Sequence, residues 1–228
     1  MSQHIEMLKK VSIFENADDA ELGQISALLV ERTFGKDTTI VTKDEAGDSM
    51  FLIARGRVKV VIQGDGGREV ILNILKAGDF FGEMSLLDNL PRSADVVAFE
   101  DTRLLILKRD AFIEHLAKHP ATSLKIMGEL SRRLRRADEL ISNLALLDVA
   151  TRVAHIMIDL AKRDGEDGED GILIRERPTQ QDIASMIGTS RETVSRVLSD
   201  FQRAGLVEMR GREILLTRKF TTQTTARA

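Results

Sequence analysis

The chain has 228 residues, of which 43% are hydrophobic and 30% charged, with a formal net charge of −3 and no cysteine. The missing cysteine excludes disulfides, thiolate redox sensing and cysteine-ligated iron–sulfur clusters. No apolar run reaches the roughly 18 residues of a membrane span and residues 1–10 lack the apolar core of a secretory signal, so a cytoplasmic protein with no membrane partner is expected.

The length accommodates two domains, each with its own core. Residues 18–31 read as an amphipathic helix. From about residue 33 to 108 the apolar stretches 39–41, 50–53, 58–62, 70–75, 96–99 and 104–107 are separated by Gly47, Gly56, Gly66, Gly67 and Gly78. Strands at roughly ten-residue spacing with turn signals between them imply a sandwich or barrel. Helical periodicity returns after Arg109, with a short helix over 110–118 that ends near Pro120. His115 and His119 stand four apart and could share a helix face, but Pro120 follows at once and no acidic partner is expected for them. Together with His4 and His155 they read as solvated polar residues, and no metal site is expected.

A long helix runs from there to about Asn143. Along it Met127, Leu130, Leu134, Ala137, Ile141 and Leu144 recur at alternating steps of three and four, with Arg132, Arg133, Arg135, Arg136 and Glu139 beside them. This heptad seam can pack on the β-rich domain, but a strip so narrow and so flanked by charge fits a partner helix better, and a homodimeric coiled coil is favoured. A hinge is expected at 144–147, and Asp148 suits the N-terminus of a helix reaching about Lys162. The Gly-rich segment 164–170 concentrates acid in a loop, and the residues beyond it are rich in arginine. A strand is expected over 172–174.

The C-terminal part carries the sharpest pattern. Thr179 fits an N-cap with Asp182 at the fourth place, opening a helix from Gln180 to Ile187 that ends at Gly188. A second cap, Thr189 to Glu192, opens a helix from Ser190 to Ala204. Two short helices around a tight glycine turn, leading into apolar stretches 207–209 and 214–216 that flank Arg210, Gly211 and Arg212, read as a winged helix-turn-helix. The second helix exposes Arg191, Glu192 and Arg196 while burying Val194, Val197, Leu198 and Phe201. Each arginine can grip the two major-groove acceptors of a guanine, and Glu192 can accept from a cytosine amino group. Thr179, Gln180, Thr189, Ser190 and Ser195 are the further candidates for contact with double-stranded DNA, the hydroxyls of Thr189, Ser190 and Ser195 having reach for phosphates.

Three stretches carry a resemblance to the cyclic AMP receptor protein / FNR family: Gly78-Asp-Phe-Phe-Gly-Glu-Met-Ser-Leu-Leu87 with Pro91-Arg-Ser-Ala94; Asn143-Leu-Ala-Leu-Leu-Asp148; and Gly188-Thr-Ser-Arg-Glu-Thr-Val-Ser-Arg196. The resemblance implies an α+β chain. Residues 1–120 would form a double-stranded β-helix (jelly-roll) cyclic-nucleotide-binding domain, 121–147 the dimerisation helix and hinge, and 148–220 the winged helix-turn-helix, with 221–228 as a disordered tail. The first stretch resembles the family's phosphate-binding cassette. A turn beginning at Gly82, with Met84 and Ser85, would aim backbone amides at a phosphodiester, and Arg92 and Ser93 would add hydrogen bonds. Glu83 repels a phosphate unless it accepts from a hydroxyl, and a ribose hydroxyl is the donor the family offers. Alternatively, Glu83 and Arg92 form an ion pair in an empty roll.

The long-helix positions that contact adenine in the cyclic AMP receptor are occupied here by Ala137 and Asp138. Ala137 cannot hydrogen-bond through its side chain. Asp138 can accept from an adenine amino group or from two donors on a guanine edge, or it can pair with an arginine of a partner helix. Cyclic AMP is therefore the first effector to consider, with cyclic GMP, cyclic di-GMP or no ligand as alternatives, and no other cofactor. The resemblance further implies allosteric control of transcription by a homodimer on a palindromic operator with TGTGA-like half-sites, acting with RNA polymerase. A nucleotide-binding regulatory subunit with the same roll is disfavoured by the helix-turn-helix, and no arrangement of an enzyme's active site is visible.

Overall fold

The computed structural model describes residues 2–225, without the side chains of residues 2, 3, 65, 221 and 223–225. The chain divides into two compact units, Met1–Ala137 and Asp138–Ala228. This boundary falls inside the long helix, within the segment 121–147 expected to hold the dimerisation helix and hinge.

The first unit contains, in order, α1 (Ser2–Leu8), α2 (Asp19–Leu28), β1 (Val30–Phe34), β2 (Thr39–Val41), β3 (Ser49–Arg55), β4 (Arg57–Gln63), β5 (Glu69–Lys76), β6 (Phe80–Phe81), α3 (Met84–Leu87), β7 (Asp95–Ala98), β8 (Thr102–Lys108) and α4 (Arg109–Lys118). It closes with the first part of α5 (Pro120–Leu146). Two antiparallel four-stranded sheets, ordered β1-β8-β3-β6 and β2-β7-β4-β5, make the roll. All six strands expected from the glycine-punctuated pattern are present. Strands β1 and β6 are additional to that pattern. Four of the five β1 residues are exposed and Val30 is 52% exposed, so β1 lacks the buried alternation that marks a strand. Its pairing with β8 also ends α2 at Leu28, short of the expected Glu31.

Strand β3 explains how the unit is held. Its run Ser49–Ile53 is buried throughout because both faces are covered. Phe51 and Ile53 join Val58, Leu75, Phe81, Val96 and Leu104 between the sheets. Met50 and Leu52 point the other way, with Phe80 of β6, toward Leu8, Phe14, Leu22, Ile25, Phe112 and Ile126 of the helical layer. This is the two-residue period of a strand, and each such buried side chain contributes about 1.5–3 kcal/mol. His115, expected to be solvated, is buried against the helical layer, where Phe14 meets its ring edge-on at 5.7 Å.

The second unit continues α5 and adds α6 (Val149–Asp164), β9 (Gly165–Asp167), β10 (Gly171–Ile174), α7 (Gln180–Ile187), α8 (Arg191–Arg203), β11 (Val207–Arg210), β12 (Glu213–Thr217) and α9 (Arg218–Thr225). The antiparallel sheet is ordered β11-β12-β10-β9. Asp148 caps α6 by accepting from the Thr151 amide at 2.8 Å. Two expectations need correction. The acidic segment is not all loop: its first part pairs with β10 as β9, and Glu166 takes two bonds of 2.7 Å from Arg175. The tail expected to be disordered from residue 221 is helical to Thr225, because Phe220 is buried and meets Phe201 edge-on at 5.9 Å. Residues 226–228 lie outside the described residues.

Candidate functional site: a phosphate cassette and a DNA-reading helix

In the first unit, Gly82, Glu83, Met84, Ser85, Arg92 and Ser93 come together around the short helix α3. Gly82 is in the left-handed region at φ 83°, and a Cβ there would lie 2.7 Å from Arg92 Nη1 and 3.1 Å from the Ser49 carbonyl. Only glycine fits both the angle and the space. Arg92 is 7% exposed and turns into the roll, where its guanidinium donates to the carbonyls of Gly82 and Ser49 at 2.7 Å each. Its carbon lies 5.8 Å from the Phe51 ring centroid, and Phe51 itself stacks on Phe81. Burial pulls its pKa down, while Asp48 and Glu83 oppose that shift. Ser85 is buried and its carbonyl accepts from Arg109, whereas Ser93 is exposed beside Met84.

Glu83 is the unusual element. It is 1% exposed, and its carboxylate is engaged by Arg133 of α5, with Nη1 donating to Oε1 at 3.0 Å. The expected alternative of a Glu83–Arg92 pair is thus replaced by Glu83–Arg133, because Arg92 is committed to two backbone carbonyls. Arg133 also donates to the Phe80 carbonyl at 2.6 Å and to Glu129 at 3.3 Å, and it lies 4.8 Å from the Phe80 ring centroid. Glu83 Oε2 is buried and has no hydrogen-bond partner. Burial raises the Glu83 pKa above the usual carboxylate range, and the Arg133 charge opposes that rise.

From sequence, Arg133 is only one of the charges beside the seam. The signal that marks it is a second stripe on α5: Thr122 and Ile126 are buried and Leu130 packs on the helical-layer core, one face leading to Arg133. Leu130, assigned to the seam, therefore belongs at least partly to the roll. The rest of the seam is uncovered: Met127, Leu134, Ile141 and Leu144 are 54%, 64%, 64% and 42% exposed, and Ala137 is exposed too. Asp138 begins the second unit and is exposed.

In the second unit α7 carries a reciprocal capping box. Thr179 Oγ1 accepts from the Asp182 amide at 3.1 Å, and Asp182 Oδ2 accepts from the Thr179 amide at 3.0 Å. Gly188 ends α7 at φ 65°, and the Thr189 amide closes the turn onto the Ala184 carbonyl at 3.0 Å. The next cap is Ser190, not Thr189: its hydroxyl accepts from the Thr193 amide at 3.2 Å, so α8 starts at Arg191. Ile183, Ala184, Ile187, Val194, Val197 and Leu198 form the buried seam of the two helices, and Phe201 is partly buried. Arg191, Glu192 and Arg196 are exposed on α8, with Ser190 exposed and Gln180, Thr189 and Ser195 half-buried around them. Glu192 is held ionised, its pKa lowered by its own backbone amide, by the Ser190 hydroxyl and by Arg191. An ionised acceptor between two guanidinium groups, raised on a rigid helix, suits the reading of base edges in a major groove.

Comparison with known proteins agrees with both halves. The family model described as "Cyclic nucleotide-binding domain" matches residues 31–119, and that described as "Crp-like helix-turn-helix domain" matches residues 151–219. The chain is 31% identical over 212 residues to the "CRP-like cAMP-activated global transcriptional regulator" of Mycobacterium tuberculosis, covering 93% of this chain and 95% of that one. It is 33% identical over 202 residues to the "Cyclic AMP receptor protein" of Thermus thermophilus, covering 89% and 90%. Among solved structures, the c-di-GMP responsive global regulator CLP of Xanthomonas campestris superposes with a TM-score of 0.78 at 25% identity, covering 88% of this chain and 99% of that one. With a nucleotide-binding roll and a Crp-like reading head in one polypeptide, the chain belongs to the cyclic AMP receptor protein / FNR family of transcription regulators.

Proposed function

We propose that the chain is a homodimeric, sequence-specific DNA-binding regulator whose affinity for its operator is set by a cyclic nucleotide in the roll, with cyclic AMP as the first effector. The observation that carries this reading is the buried Glu83 carboxylate: Oε1 is held by Arg133 while Oε2 is left without a donor. An unpaired buried acceptor costs about 1–3 kcal/mol, more when it is charged, and a sugar hydroxyl is a donor that would remove that cost. Arg92 commits two of its five N–H groups to carbonyls, and the others remain for an equatorial phosphate oxygen. Ser93 and the leading amides of α3 complete the anion's hydrogen-bonding set.

Coupling runs through Arg133. A hydroxyl on Oε2 changes what Glu83 demands of Arg133, and Arg133 sits on the helix that carries the exposed apolar seam. In the dimer this seam is covered by its copy, and the two α8 helices read successive major grooves about 34 Å apart on a palindromic site. TGTGA-like half-sites are expected if Arg191, Glu192 and Arg196 read bases as in the relatives, and RNA polymerase is the partner through which such a regulator acts from the cytoplasm. Two regulators similar in sequence are named for cyclic AMP, and one similar in structure for cyclic di-GMP. Ala137 and Asp138 lack the hydroxyl pair expected for adenine, which keeps cyclic GMP and cyclic di-GMP in the test. Calorimetric titration of the full chain with each nucleotide decides among them. Heat from one only, together with tighter operator binding, supports the reading; no heat from any overturns ligand control. A second reading, a regulator needing no ligand, is favoured by one observation: the Gly82 and Ser49 carbonyls already hold Arg92 in place through two of its N–H groups.

A further inference from the structure

Helix α4 and the residue that succeeds it bring His115 and His119 against helix α2, and the three side chains that meet there are not used by the nucleotide and DNA functions. Glu21 Oε1 lies 3.3 Å from His115 Nε2, and Glu21 Oε2 lies 3.4 Å from His119 Nδ1. The two imidazoles stack at 4.4 Å with 20° between their planes, so their edges face the same carboxylate. One ligand atom from each residue can be chosen so that all three lie within 4.8 Å of one another. The nearby acid in sequence, Glu114, accepts from Lys118 instead. The fold supplies one from far up the chain, because α2 packs across α4 with Leu22 and Phe112 in the same core.

We propose that Glu21, His115 and His119 form a binding site for a divalent transition ion of the zinc type, which fastens α2 to α4. Metal–ligand distances of about 2.0–2.2 Å in a tetrahedron place neighbouring donor atoms about 3.3–3.6 Å apart. The edge from His115 Nε2 to Glu21 Oε1 already has that length, and His119 Nδ1 stands 3.4 Å from the other oxygen, Oε2; both separations are longer than the about 2.7–2.9 Å of a charge-assisted N–H···O bond. The two edges that involve His119 close by its rotation, for which its 28% exposure gives room. Nitrogen and carboxylate donors without sulfur suit zinc, cobalt and nickel, and exclude magnesium and calcium, which take oxygen. Three protein ligands leave the fourth position to water, beside the Thr122 hydroxyl, 3.3 Å from His115 Nε2 and 3.4 Å from Glu21 Oε1.

The test uses the full chain stripped with chelator and then titrated with Co2+ as a visible probe and with Zn2+ as competitor. The expected result is one Co2+ per chain with the strong visible absorption of four-coordinate cobalt, displaced by Zn2+, and a rise in unfolding temperature with either ion. His119→Ala should abolish the spectrum, and Glu21→Gln, which keeps the shape, should weaken binding at least tenfold. Wild-type protein that retains no ion after gel filtration overturns the proposal. So does a stoichiometry unchanged in both variants, which would move the ion to other groups such as the acidic segment 164–170.

Discussion

Replacing Arg133 by Ala removes the partner of a carboxylate that is 1% exposed, from an arginine side chain itself 22% exposed. Deleting one member of a buried ion pair costs about 3–5 kcal/mol because the other charge is left without compensation. Partial exposure of Arg133 lets water reach the gap and lowers this to about 2–4 kcal/mol. For a unit of this size that is a fall of roughly 10 °C in midpoint. The pH dependence has a definite sign. Burial already raises the Glu83 pKa, with Arg133 opposing it; without Arg133 the folded-state value climbs further above the unfolded one. A carboxyl raised in the folded state binds its proton there first, so stability is greatest below the unfolded value and is lost as pH rises through the folded value. The deficit of Arg133→Ala should accordingly be large at pH 7.5 and narrower at pH 5. Adding Glu83→Gln removes the orphaned charge and should recover at least half of the loss. The chain has no Trp or Tyr, so unfolding is tracked by circular dichroism or calorimetry. A midpoint within 2 °C of wild type at pH 7.5, or a deficit equal at both pH values, would falsify the account of Glu83 as a buried carboxyl whose charged form Arg133 favours.

Three further outcomes are expected. Gly82→Ala places a Cβ at φ 83° and 2.7 Å from Arg92 Nη1; with about 1–2 kcal/mol of backbone strain and Arg92 displaced, cyclic nucleotide affinity by calorimetry should fall more than tenfold, and unchanged affinity would refute the cassette assignment. Arg191→Ala and Arg196→Ala should each cost about 1–3 kcal/mol of operator binding in gel shifts, while unfolding stays within about 0.5 kcal/mol, since both side chains are exposed. Leu134→Glu with Ile141→Glu puts charge on two seam positions, each 64% exposed; sedimentation should then give a monomer with operator affinity lost, and an intact dimer would move the interface elsewhere.

How much of the fold is legible in the chain alone depends on where the determining forces act. Helix α7 is legible to the residue because its determinants are local: Thr179 and Asp182 bond each other's amides three positions apart, and Gly188 stops the helix at φ 65°. The cap of the recognition helix is displaced by one residue from its expected place because Thr189 and Ser190 are chemically equivalent caps. The Thr189 amide decides which hydroxyl accepts: it closes the preceding turn onto Ala184 and so leaves Ser190 facing the Thr193 amide. Strand β1 escapes a reading of local pattern because its reason to extend is not its own composition but a ladder to β8, about seventy residues later.

The same distinction separates the parts of the candidate site. Gly82, Glu83, Met84, Ser85, Arg92 and Ser93 lie within one short stretch, so a local motif suffices to bring them forward. The partner that gives Glu83 its chemistry, Arg133, lies 50 positions away. In sequence it is indistinguishable from Arg132, Arg135 and Arg136; the roll-facing stripe through Thr122 and Ile126 singles it out. Glu21 is further still from the imidazoles it meets, bridged by a hydroxyl contact spanning 101 positions. A buried carboxyl that keeps its charge needs a cation or a donor, so a carboxylate inside a buried motif points to a partner even before a structure exists. That partner is to be sought among distant basic or donor residues on a stripe that turns inward, and for Glu83 the residue so placed is Arg133.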